Sequence, residues 1–318
     1  MRRVIFWLCL SATIWTLMVV VLGAYVRLSH AGLGCPDWPG CYGFAGAPKV
    51  SADIAAANEA FPERPVEYGK ALKEMLHRYV AGLLWLFILV IAVLTWRNRV
   101  DPRQPLRLPW ALFALVTFQA ALGMFTVTEK LNPTVVMAHL LGGMATLSLL
   151  WLMTLRHRDW TSRSNTLIQH NFWAALGLLV LIAQISLGGW TSANYAALAC
   201  PDLPQCQGQW WPKTDFSEAF VMWRGTGIDY EGGVLGIDAR TAIHLAHRIG
   251  AIVTLLVLGG IALWIARSGF DLWIRRAAKT ILVLLVAQIT LGIVTVAWGL
   301  RCLSPRPTMG LQRCCYCL

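Results

Sequence analysis

The sequence predicts an all-α polytopic membrane protein. It is expected to comprise two tandem four-helix bundle repeats, related by a pseudo-two-fold axis along the membrane normal. Three observations predict this. The chain is 57% hydrophobic and 14% charged, with a mean hydropathy of +0.57, far from the balance of a soluble domain. Its apolar residues fall into blocks of about 20, the length that crosses a hydrocarbon core. Two stretches of the chain repeat one another at a nearly constant offset.

The apolar blocks lie at roughly 4–26, 75–96, 108–128, 135–155, 171–193, 243–266 and 277–299, which makes seven spans. The first follows Met-Arg-Arg, as a signal peptide would. Its apolar stretch exceeds the about 7–15 residues of a signal h-region, and no small-residue cleavage site follows cleanly, so it reads as a retained helix. The net charge of +11 does not indicate nucleic acid, because of where the charge sits. Lys and Arg crowd the short connections "RNRVDPRQPLR" (97–107), "RHRDWTSRS" (156–164) and "RSGFDLWIRRAAK" (267–279), and Arg2 and Arg3 belong to the same side. The long loops 27–73 and 194–240 hold most of the acidic residues. The positive-inside rule then puts the N-terminus and the basic connections in the cytoplasm and the long loops outside.

That orientation bears on the cysteines. Cys35 and Cys41 stand in "CPDWPGC", and Cys200 and Cys206 in "CPDLPQC". Both pairs fall in outside loops, where disulfides persist. A metal site is the alternative, but the lack of matching histidines nearby favours disulfides. Cys9, in the first span, reads as a small buried apolar residue.

The two CPD loops belong to a longer repeat. "LGAYVRLSHAGLGCPDWPGC" (22–41) aligns with "LGGWTSANYAALACPDLPQC" (187–206) at an offset of 165. "HRYVAG" (77–82) meets "HRIGAI" (247–252), and "QAALGMFTV" (119–127) meets "QITLGIVTV" (288–296). Residues 1–165 form the first repeat and 166–318 the second. An even number of spans per unit makes the repeat parallel. Only three spans are visible in the second unit, so an eighth helix is missing or truncated. The tail 301–318, "RCLSPRPTMGLQRCCYCL", is aberrant, and Thr308 stands where the repeat predicts a partner for His139. Read one base earlier, the codons of "CCYC" spell apolar residues, and those around Thr308 permit a histidine. A frameshift near residue 300 is therefore expected.

Ionisable residues inside membrane spans are costly and usually functional. His77 sits about one turn into its apolar block, and His139 sits early in a block that starts on the same side. Two histidines at one depth on two helices clamp a haem iron from both faces. Gly142 and Gly143, one turn below His139, remove bulk as a flat ligand requires. His247 repeats His77. Arg78 and Arg248 are expected to face haem propionates at the outer boundary, with simple snorkelling as the plainer reading.

The sequence resembles the haem A synthase family of cytochrome oxidase assembly. The resemblance rests on Glu-x-x-His-Arg at 74–78, His139, the second His-Arg at 247–248, the Cys35 and Cys41 pair and the duplication. It implies an eight-helix oxidoreductase. Such an enzyme oxidises a ring methyl of haem O to a formyl group, by successive hydroxylations and loss of water. One half holds the substrate haem and the other a cofactor haem b. Implied partners are haem O, its upstream synthase and an electron donor, in the cytoplasmic membrane of a bacterium; a homo-oligomer is compatible with this. The cysteine pair is either structural or redox-active.

The residues suggest which half does what. Glu74 lies three before His77, on the same helix face, and its counterpart is His244. A carboxylate near a haem edge relays protons or holds a hydroxylated intermediate. We therefore expect His77 and His139 to hold the substrate haem, Glu74 to assist the chemistry, and His247 to hold the cofactor haem. An ion pair from Glu74 to Arg78 at i+4 is the plainer role and coexists with the first. His30 is a weaker candidate for a place over the haem, since its counterpart is Tyr195. His157 and His170 are expected to be solvated at the cytoplasmic loop. Two rival readings are a quinol-linked di-haem electron-transfer cytochrome and a parallel-repeat transporter. The half-specific Glu74 argues against the first. Unbroken spans argue against the second.

Overall fold

The computed structural model describes residues 1–101, 104–157 and 171–303. Its elements run α1 (Arg2–Leu28), α2 (Ser51–Ala60), α3 (Tyr68–Arg97), α4 (Arg107–Thr128), α5 (Pro133–His157), α6 (Asn171–Ala193), α7 (Phe216–Ala219), α8 (Ile237–Arg267) and α9 (Leu272–Leu303). Seven of these helices are long and apolar enough to cross a membrane: all but α2 and α7. No strand is found among the described residues. The position of Thr308, the proposed frameshift and His170 lie outside the described residues.

The chain divides into two compact units. The first takes the described residues of 1–164 together with Gly225–Glu231. The second takes those of 165–224 and those from 232 onward. The segment 225–231, which the sequence reading allots to the second half, thus packs in the first unit.

In the first unit α1 packs on α3, α3 on α4, α4 on α5, and α5 back on α1, a closed ring of four spans. Its core is apolar and tight: Ile5, Cys9, Ala12, Leu84, Ile88, Ile91, Leu112, Val116, Leu150 and Met153 are buried together. Threonines enter this core because each returns its hydroxyl proton to its own helix. Thr16, Thr95 and Thr154 donate to Ala12, Ile91 and Leu150 carbonyls at 2.6–2.9 Å, so no hydroxyl faces hydrocarbon unpaired. In the second unit α6 packs on α8 and α8 on α9. That is a row rather than a ring among the described residues. Its buried cluster is small, Ala262, Ala266 and Ala278, and α9 leaves Val283, Leu284, Val286 and Leu291 each about 60% or more exposed. Such a face is stable only against lipid or another apolar surface.

The turn from α4 to α5 shows how local chemistry sets the ring. Lys130 and Leu131 take positive φ, and Leu131 donates to Thr126 O at 2.8 Å. Asn132 then caps α5, accepting the Thr134 N–H at 3.0 Å, and Pro133 takes the first helical position, where no N–H is needed. Leu131 tolerates its backbone because its side chain is buried against Leu33, Val127 and Tyr230.

α1 and α6 end alike. His30 and Tyr195 take left-handed φ, at 50° and 54°, and the next amide reaches back to Val26 O or Thr191 O. This is a helix-closing turn. His157 departs from expectation. It is buried at the end of α5, with Nδ1 2.9 Å from Met153 O and Nε2 3.1 Å from the Gln104 amide. A neighbouring polar side chain lets it leave water.

Candidate functional site

Each unit carries a small disulfide loop lashed to the helix that carries its His-Arg pair. In the first unit Cys35 and Cys41 are bonded. The Asp37 carboxylate closes the loop from inside, accepting the Tyr42 and Gly43 amides at 2.6 and 2.8 Å. Gly34 allows the loop to lie directly on α3, since a Cβ there would stand 2.6–2.8 Å from the backbone of Lys70 and Ala71. That approach brings the Cys35 N–H to Glu74 Oε2 at 2.9 Å. One turn further along α3, Arg78 donates to the carbonyls of Asp37 (2.9 Å), Pro39 (3.3 Å) and Gly40, and pairs with Glu74 Oε1 at 2.5 Å. The plainer role foreseen for Glu74, an ion pair at i+4, is therefore present. α2 completes the cover: Ala57 is buried with Cys35, Cys41, Tyr42, Ala71 and Met75.

The second unit repeats the fastening with different chemistry. Cys200 and Cys206 are bonded. Asp202 accepts the Gln207 and Gly208 amides at 2.6 and 2.8 Å. Arg248 donates to Gln205, Cys200 and Asp202 carbonyls at 2.8–2.9 Å. His244 occupies the place of Glu74, with Nδ1 3.3 Å from the Cys200 nitrogen and 3.0 Å from Ala196 O. One ring nitrogen satisfies only one of these at a time. Where the sequence reading turns Arg78 and Arg248 toward haem propionates, both guanidinium groups are occupied by loop carbonyls.

Beneath the first loop lie the histidines. α3 begins at Tyr68, so His77 stands nine residues into the helix, about 13 Å along its axis. This is deeper than the single turn the apolar block suggests, because the first two turns pack under the disulfide loop. His139 lies six residues into α5. Both histidines lie in the first unit, on spans α3 and α5. Each lies against a glycine of a neighbouring span. A Cβ on Gly23 of α1 would stand 3.0 Å from His77 Cε1, and one on Gly123 of α4 would stand 3.6 Å from His139 Cε1. His77 Nδ1 and His139 Nδ1 are both buried with no hydrogen-bond partner among the described residues. Imidazoles not tied up by side chains of neighbouring spans remain available to a ligand that brings its own metal. A planar porphyrin iron between two histidines suits this donor set.

The structure revises one detail. Gly142 does not leave a space for a flat ligand, because the Gln119 amide already fills the site its Cβ would take. Gly143 does border open space. In the second unit His247 lies against Gly188 of α6, whose Cβ would stand 3.2 Å from Cε1. Gln184 of the same helix contacts its ring.

Sequence reasoning missed Gln119, Gln184 and the glycines at 23, 123 and 188 as parts of the site. The signal was present, since Leu22-Gly23 and Leu187-Gly188 open the repeated segment and "QAALG" repeats as "QITLG". It also missed Arg64, which pairs with Asp229 at 2.5 Å and Glu231 at 2.8 Å and so holds segment 225–231 in the first unit.

The class this defines is a polytopic helical protein with two histidines, each beside a glycine of a neighbouring span, in a four-span ring that carries a disulfide loop. The sequence profile of the cytochrome oxidase assembly protein family matches residues 6–304. The chain belongs to that family. It is 46% identical to the heme A synthase of Shewanella oneidensis over 297 residues, 92% of this chain and 88% of that protein. It is 26% identical to the heme A synthases of Beijerinckia indica, over 92% of this chain and 84% of the relative, and Sphingopyxis alaskensis, over 91% and 82%.

Proposed function

We propose that this protein is a membrane oxidoreductase that converts haem O to haem A for a terminal cytochrome oxidase. The observation that carries the reading is the first-unit site: His77 and His139, each against a glycine of a neighbouring span, with a disulfide loop fastened to the His77 helix by Glu74. The similarity to heme A synthases along nearly the whole chain supports it.

In this reading the first unit holds haem O through His77 and His139. Two imidazoles fix the porphyrin plane, and Gly23 and Gly123 leave room for the rings. The ring methyl is hydroxylated twice, each time a two-electron oxidation whose oxidant and oxygen atom come from outside the chain, and the resulting diol loses water to become the formyl group. Glu74, below the disulfide loop and paired with Arg78, holds or moves a proton near the reacting edge. Helix α3 orients Glu74 and His77 together, one turn apart. The second unit holds haem b through His247, with His244 in the place of the carboxylate. Bound haem b supplies one-electron chemistry between an external donor and the site.

We further read the two units as tandem repeats of one four-span design. The main support is local: left-handed residues at 30 and 195, at 42 and 207, and at 43 and 208 recur at a spacing of 165. Gly123 lies beside His139, whereas Gly292, its counterpart in "QITLG", has no side chain beside it among the described residues. A fourth span is what that position calls for. The basic connections support a cytoplasmic N-terminus with the disulfide loops on the other side of the membrane. The electron donor and an upstream haem O synthase are the partners this chemistry requires.

The test is haem extraction from cells that express this chain beside a haem O supplier. Haem A in the extract supports the proposal. Haem b alone would make the protein an electron-transfer cytochrome instead.

A further inference from the structure

His247 has a companion that His77 lacks. The Gln184 amide nitrogen stands 3.1 Å from His247 Nδ1 and 3.2 Å from the His247 carbonyl oxygen. Its oxygen is buried with no hydrogen-bond partner. That oxygen occupies the place a Cβ on Gly250 would take, one turn along α8 from His247. Gly188, one turn along α6 from Gln184, bounds the ring at Cε1. The amide and the two glycines therefore define where the ring sits. In the first unit the matching position, 165 residues earlier, is Val19, and His77 Nδ1 has no partner.

We propose that Gln184 is a positioning residue for His247, holding the ring at Nδ1 so that Nε2 is free for a haem iron, and that it thereby tunes the potential of the haem in the second unit. The inference rests on the reading of His247 as a haem ligand. An imidazole that ligates through Nε2 carries its proton on Nδ1 and needs an acceptor there. Turning the amide over puts the unpartnered Gln184 oxygen at Nδ1 as that acceptor, in exchange for the bond the amide nitrogen makes to the His247 carbonyl. An acceptor at Nδ1 makes the ring a stronger donor to iron, which favours the ferric state and lowers the potential. Removing the acceptor raises it. The asymmetry with Val19 means that only one of the two haems should respond.

The test uses the full chain purified with its haems, titrated spectroelectrochemically and examined by electron paramagnetic resonance when oxidised. Gln184→Leu should raise the midpoint potential of one haem and alter its ferric signal. Gln184→Glu keeps an acceptor and strengthens it, so it should lower the same potential. A merely structural role would not move the two variants in opposite directions. If both retain haem and titrate at the wild-type potentials, or both shift the same way, the proposal is overturned. If Gln184→Leu fails to hold haem, the downward shift in Gln184→Glu decides, and its absence overturns the proposal. His247→Ala tests the parent reading separately. Loss of one haem signal supports ligation, and an unchanged haem complement defeats that reading whatever Gln184 does.

Discussion

Glu74 Oε2 accepts the main-chain N–H of Cys35 at 2.9 Å, across 39 positions of sequence. The contact joins the disulfide loop to the helix that carries His77, and Arg78 reinforces it from the next turn. It gives one carboxylate two jobs. Glu74→Gln keeps a neutral acceptor for Cys35 but removes the charge that pairs with Arg78 and that the proposed chemistry uses. We expect this variant to retain haem and the loop, and to lose most haem A output. Glu74→Leu should in addition free the loop, because an orphaned buried N–H costs about 1–3 kcal/mol. Haem extraction with pigment quantification checks both. Wild-type haem A yield from Glu74→Gln would remove the residue from the chemistry.

Gly142 and Gln119 should behave as a coupled pair. A methyl at Gly142 must displace the Gln119 amide, which is buried between α4 and α5. Gly142→Ala alone should cost about 1–3 kcal/mol, as overpacking does. Gln119→Ala in the same chain should recover most of it. A thermal-denaturation double-mutant cycle in detergent measures the coupling. Additive effects would mean that the two residues do not share the space.

The second disulfide loop should loosen in acid. The Gly208 amide beside Asp202, helped by that of Gln207, holds its carboxyl below the usual carboxylate range. A lowered native pKa means the folded loop binds fewer protons than the unfolded chain. The contribution is therefore complete above the ordinary carboxylate range and is lost as pH falls through the lowered value. The protection of the Gln207 and Gly208 amides, measured as exchange relative to the intrinsic rate at each pH, should fall in acid in the wild type. Asp202→Asn should show no such acid step. Equal acid responses in the two proteins would contradict the assignment.

Arg64→Ala should release segment 225–231. The two ion pairs are partly exposed, so each is worth only about 0.2–1 kcal/mol. Tyr230, buried and donating to Lys130 O at 3.0 Å, stays as a second hold. We expect faster limited proteolysis between Gly225 and Gly233 with the spans intact. An unchanged cleavage rate would show that Tyr230 alone suffices.

Sequence by itself determined the seven described spans, because burial in hydrocarbon demands long apolar blocks and nothing shorter crosses. It also determined the disulfide pairs and the candidacy of His77, His139 and His247, because a charge-bearing side chain inside an apolar block has few reasons to be there. Tertiary structure alone decided what surrounds them. Arg78 and Arg248 grip carbonyls, and carbonyls have no sequence signature. Gln119 fills the space beside Gly142, and Gln184 touches His247 from another helix. Those neighbours are set by which helix face meets which, and helical periodicity alone does not specify the partner. Gly225–Glu231 left its own half for the same reason: Arg64, 165 residues from Asp229, supplies the opposite charge only once the chain has folded.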